Sequence, residues 1–145
     1  MKSKNRWIVG LLILAILQFW ACQKKDDGHN LEHPSKVEDI PGSEFSRVTF
    51  TEKAMERTGV ETAAVTTEVS SPLKKVVPYG ALLYGPEGQT WVYTSPEPRV
   101  FIRVEVDVDY IKGNKVFLNE GPPIGSIVVS VGAAEIYGAE FEVGH

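Results

Sequence analysis

Asp26, Asp27, His29 and His33 have the types and spacing to hold a metal ion. His29 and His33 stand at i and i+4, which puts two imidazoles on one face if the segment is helical. Imidazole with carboxylate suits zinc, nickel or copper(II). Gly28 and Pro34 oppose such a helix, so the same residues also read as a solvated polar stretch. Cys22, the only cysteine, offers a different chemistry, as the acceptor of a lipid. No nucleophile stands with a base: Ser70-Ser71 has none in view, and beyond the N-terminal stretch the only histidine is His145. Nucleophilic catalysis needs both groups positioned together, so the chain reads as a non-enzyme with no cofactor.

The residues around Cys22 say where that chemistry takes place. Lys2, Lys4 and Arg6 precede an apolar run from Trp7 to Leu17, and Phe19-Trp20-Ala21-Cys22 closes it. A basic head, a short apolar segment and a small residue before the cut make a secretory signal. The run is shorter than the ~20 residues that span a bilayer comfortably. A cysteine directly after Ala21 points to lipoprotein processing. The alternative is an uncleaved anchor with Trp20 at the interface, since Phe19 and Trp20 stand where lipoprotein signals usually carry Leu and a small residue. Either way the body of the chain lies beyond the membrane, on the periplasmic side. Gln23 after the lipidated position leans towards the outer membrane.

The chain has 145 residues and a formal net charge of −4. Removal of residues 1–21 takes away Lys2, Lys4 and Arg6, leaving 12 basic against 19 acidic residues and a net charge of −7. An acidic body argues against nucleic-acid binding. One cysteine permits no internal disulfide.

Three stretches follow from this: a signal or anchor over 1–21, a lipidated flexible tether over 22–46, and a folded domain over 47–145. Residues 22–46 lack hydrophobic periodicity and carry Pro34, Pro41 and Gly42, a composition that buries too little to offset ordering entropy. Order is expected to begin with a short strand at Arg47–Phe50. Thr51 then caps a helix over 52–58, with Phe50 and Met55 as a hydrophobic staple and Gly59 as the stop. Strands are expected over 60–69, 76–84, 89–94, 115–118 and 127–131. Residues 100–109 show period-two alternation, read as one half-buried strand with Val100, Ile102, Val104, Val106 and Val108 inward. Residues 133–137 read as a helical turn or irregular chain. Short strands separated by Gly/Pro turns predict an all-β fold, a small roll or barrel with one short helix. No internal repeat is visible.

Trp91, Tyr93, Phe101 and Arg103 are candidates for a partner-binding surface, since aromatic and arginine side chains anchor interfaces. The same residues also fit core or cross-strand packing. Glu105, Asp107 and Asp109 alternate beside Arg103 as a solvated or partner-facing strand face.

Several segments resemble a known family. Val77-Pro78-Tyr79-Gly80-Ala81-Leu82 resembles a conserved strand of the periplasmic adaptor subunits, or membrane fusion proteins, of RND-type efflux transporters. Gly88 to Tyr93 is similar to their hairpin return, Arg103-Val104-Glu105-Val106 to a following strand, and Glu120 to Val129 to their closing hairpin. Residues 131–138 resemble a tail of one adaptor subgroup, and residues 48–69 resemble the segment that opens such adaptors. The resemblance implies a membrane-proximal β-domain. Full adaptors place a helical hairpin, a lipoyl-like domain and a barrel between these segments; here Ser70-Ser71-Pro72-Leu73-Lys74 spans the gap. The resemblance therefore implies an accessory module in transmembrane transport, with an RND transporter or full-length adaptor as partner. A metal-binding periplasmic lipoprotein using His29 and His33 is the alternative.

Overall fold

Alternating Val, Ile and aromatic residues broken by Gly/Pro turns build eleven short strands among the residues that the computed structural model describes, 33–69 and 73–141. In order they are β1 (Ser35–Asp39), β2 (Ser46–Phe50), β3 (Glu61–Ala64), β4 (Thr66–Glu68), β5 (Lys74–Pro78), β6 (Leu83–Tyr84), β7 (Thr90–Glu97), β8 (Val100–Glu105), β9 (Asp107–Lys112), β10 (Lys115–Glu120) and β11 (Ile127–Val131). Helix α1 (Glu52–Thr58) follows β2, a 3-10 turn (Tyr79–Ala81) follows β5, and helix α2 (Ala133–Phe141) closes the described chain.

The strands form two antiparallel sheets. The larger runs β1-β2-β8-β7-β11-β3, with β6 paired to β7; the smaller runs β4-β5-β10-β9. The expected all-β content is present, with two short helices rather than one and without closure into a barrel.

Two cores result. Val92 and Val128 of the larger sheet pack with Val77, Val116 and Leu118 of the smaller. On the larger sheet's other face, Val48, Phe50, Tyr93, Phe101 and Val129 pack against Ala54 of α1 and against Ala133 and Ile136 of α2. Helix α1 forms as its sequence dictates: Thr51 Oγ1 accepts from the Ala54 N–H at 3.1 Å, and Gly59 turns left-handed at φ 63°.

Three expected strands are broken where the chain changes sheet. Residues 60–69 divide at Val65 into β3 and β4, and residues 100–109 divide at Val106 into β8 and β9. Residues 76–84 divide at the 3-10 turn. Val65, Val106, Ala81 and Leu82 are all buried in the core between the sheets. Both sheets face that core, so apolar residues are required on each side of the crossing and the sequence pattern runs through it unbroken.

The crossings reveal an internal duplication. One half runs β3, Val65, β4, β5, then back to β6 and β7. The other runs β8, Val106, β9, β10, then back to β11. The two halves interlock about a pseudo-twofold: β3 pairs with β11 as β8 pairs with β7, while β5–β10 and β7–β11 are the pairs at the centre.

The stretch read as a tether also differs. Within it, Ser35–Asp39 form strand β1, paired with β2 in the register Val37↔Val48. Its sequence, Ser-Lys-Val-Glu-Asp, carries a single apolar residue, and β1 is accordingly exposed along most of its length. Cross-strand bonding to β2, rather than burial, orders it. Among the described residues, no helix is long and apolar enough to cross a membrane.

Candidate functional site

The most concentrated chemistry among the described residues lies under α2. Strands β7 and β8 pair in the register Tyr93↔Arg103 and Trp91↔Glu105, so Trp91, Tyr93, Phe101 and Arg103 share the helix-covered face. The sequence pattern suggested the reverse, with Phe101 and Arg103 opposite the core. In the fold Phe101 is fully buried and Arg103 only 7% exposed, while Ile102 and Val104 are half-buried. The larger sheet has a core on both faces, and period two along β8 therefore does not separate inside from outside.

Arg103 is neutralised by Glu140, carried across from α2. Arg103 Nη2 donates to Glu140 Oε1 at 3.3 Å. Arg103 Nε lies 3.2 Å from Oε2, but its N–H makes no well-aligned hydrogen bond. Charge and the Nη2 bond therefore hold the pair. The Tyr93 hydroxyl donates to Glu140 Oε2. Burial, and then the hydrogen bond to Glu140, push the Tyr93 hydroxyl far above its ordinary pKa, so Tyr93 stays a neutral donor.

Aromatic rings enclose the guanidinium. Its Cζ lies 4.5 Å from the Trp91 ring centroid, 4.9 Å from Phe141, 5.0 Å from Phe45 and 5.7 Å from Tyr137. Such contacts strengthen when desolvated, to about 2 kcal/mol. The helix supplies Tyr137 and Phe141 at i and i+4, four residues apart on one face, and their ring centroids are 4.7 Å apart. Glu140 accepts from both Arg103 and Tyr93, and the chemical effect of the assembly is to fasten α2 to the sheet.

Trp91, Tyr93, Phe101 and Arg103 are thus brought together, within the interior: Trp91 is 8% exposed, and Tyr93 and Phe101 are fully buried. In this unit they hold α2 rather than lining its outer surface. Sequence reading missed Glu140, Tyr137, Phe141 and Phe45. The i, i+4 aromatic pair was the one signal for the helix residues; Phe45, in the loop before β2, gave none.

Among the metal-ligand candidates, His33 is exposed at the start of the described chain, while Asp26, Asp27 and His29 lie outside the described residues. Cys22 lies outside them too. Among the described residues, no three His, Cys, Asp or Glu side chains are grouped closely enough to hold a metal ion.

Shallow grooves are present among the described residues. One, of about 390 Å³, is bordered by Ala63, Ala64, Val76, Pro78 and Lys115. Another, of about 450 Å³, is bordered by Pro96, Val104, Pro122, Pro123 and Ile127. Both are open and mainly apolar, without the convergent polar groups that orient a small ligand.

No family model, curated protein or solved structure matches this chain.

Proposed function

We infer that this chain is a non-catalytic cell-envelope lipoprotein, lipidated on Cys22, that serves as an accessory module of a transmembrane efflux system. Its β-domain binds an RND transporter or a full-length periplasmic adaptor. The pairing of distant segments carries the reading. Strand β3, from the stretch resembling the adaptor opening, lies against β11, from the closing stretch. Strand β2 likewise lies against β8. A membrane-proximal domain assembled from both ends of a longer parent chain requires such pairings once the intervening domains are gone. The Arg103–Glu140–Tyr93 cluster, buried and tied to α2, fits a binding module better than a reaction centre.

Deletion of the chromosomal copy tests the role in cells. The expected result is a changed resistance profile that disappears when the pump itself is inactivated. An unchanged profile in both backgrounds contradicts the reading.

A further inference from the structure

Among the described residues, β1 has one paired neighbour, β2, which leaves a row of backbone donors and acceptors along its other edge. Such an edge is a template for a further strand. We propose that this edge pairs with the same edge of a second copy of the chain, in antiparallel register about Val37, making a twofold dimer with one sheet continuous across both copies.

Pairing geometry and charge select that register. Along an edge, only alternate residues direct their N–H and C=O groups outward, so two copies of one edge pair symmetrically only about a residue, not between two residues. Centring on Lys36 opposes two ammonium groups, and centring on Glu38 opposes two carboxylates. Centring on Val37 opposes Lys36 to Glu38 twice and Ser35 to Asp39 twice, and sets Val37 against Val37. Cross-strand opposite charges stabilise a pair and like charges destabilise it.

The other free edges among the described residues lack this self-complementarity, and β6, with two residues and no charge, offers none. Strand β9 centred on Asp109 opposes two carboxylates, and centred on Tyr110 it sets Asp109 against Ile111. Strand β4 sets Thr66 against Glu68. Strand β3 centred on Ala63 sets Thr62 against Ala64, with no charge to choose the register.

The side chains at the edge are available for this contact. Lys36 and Glu38 lie 2.8 Å apart on one face, with side chains 70% and 46% exposed. Val37 is 42% exposed. As the cross-strand neighbour of Val48 it lies on the face covered by α2, where the Phe141 ring is also half-exposed. Pairing two β1 edges brings these apolar surfaces towards their twofold mates. Five residues bury less than the about 1,200 Å² of a standard stable interface, so the dimer belongs to the weak class and is best captured covalently.

The test is disulfide trapping of the full chain in native membranes and in detergent, read on non-reducing gels, with the parent chain, whose only cysteine is the lipid acceptor Cys22, as the blank. Directly opposed residues have Cα atoms about 4.5–5.5 Å apart, within disulfide reach. Val37→Cys is therefore expected to cross-link about tenfold faster than Ser35→Cys, whose mates lie more than about 13 Å apart in this register. In the Val37→Cys chain, Lys36→Glu or Glu38→Lys alone is expected to slow trapping about tenfold, and the two together to restore it. Circular dichroism checks that each variant folds. Equal trapping at positions 35 and 37, or trapping indifferent to the charge reversals, overturns the proposal.

Discussion

Val65 and Val106 occupy equivalent pivots in the two halves of the fold. Each hands a strand of the larger sheet to the smaller, and each bonds to the start of the strand that returns in the other half. The Val65 N–H donates to the Ser126 carbonyl at 2.8 Å, just before β11; the Val106 N–H donates to the Thr90 carbonyl at 2.9 Å, at the head of β7. Both valines are buried, at 1% and 4% exposure.

This equivalence predicts equal sensitivity. Val65→Ala and Val106→Ala each remove two buried methyl groups from one core and should each cost about 2 kcal/mol, from transfer and cavity together. Urea unfolding of the two variants measures it. A cost at one pivot several times that at the other contradicts the equivalence.

The buried ion pair should be dispensable only as a pair. Glu140→Gln leaves the Arg103 guanidinium buried without a counter-charge, and breaking such a pair costs about 3–5 kcal/mol. Arg103→Met together with Glu140→Gln removes the orphaned charge and should cost less than Glu140→Gln alone. Equilibrium unfolding of the single and double variants measures the difference. A double variant less stable than the single contradicts the account of α2 as held by charge.

Tyr93 should impose an alkaline limit on stability. Its pKa is raised in the folded chain above the ordinary 10.0, so above about pH 10 the unfolded chain releases a proton that the folded chain keeps. The stabilisation is complete below that pH. It is lost as pH rises further, by up to about 1.4 kcal/mol per pH unit for one proton. Tyr93→Phe should lose this part of the slope, because Phe has no proton to release. Thermal melts of both proteins between pH 9 and 11 isolate the difference from lysine titration; parallel slopes contradict it.

Gly80 should resist substitution although it lies at the exposed start of a crossing. A Cβ there would stand 2.5 Å from the Ser130 carbonyl oxygen of β11, and a backbone atom yields little. Gly80→Ala is expected to cost about 2 kcal/mol through overpacking, whereas Lys112→Ala at the exposed end of β9 should stay within about 0.5 kcal/mol. Chemical denaturation of the variants compares them.

Local chemistry made much of this fold legible. Thr51, Glu52, Met55 and Gly59 announce helix α1 with its bounds, and Lys112-Gly113-Asn114 announces the turn between β9 and β10, with Gly113 at φ 60°. What stayed hidden depended on partners distant in sequence. The break at Val106 leaves no trace because both sheets face one core. Arg103 reads as solvent-facing until Glu140, 37 residues later, supplies its counter-charge. Strand β1 reads as a tether because backbone pairing holds it and its side chains bury little. The duplication is invisible because its halves share pairing geometry and not residues.

In-cell crosslinking of the tagged full chain in its native envelope, followed by affinity purification and mass spectrometry, tests the transport role most directly. The expected result is specific recovery of an RND transporter or a full-length periplasmic adaptor, absent from an untagged control. Recovery of abundant envelope lipoproteins alone, with no pump component, contradicts the role and turns attention to metal titration of His29 and His33.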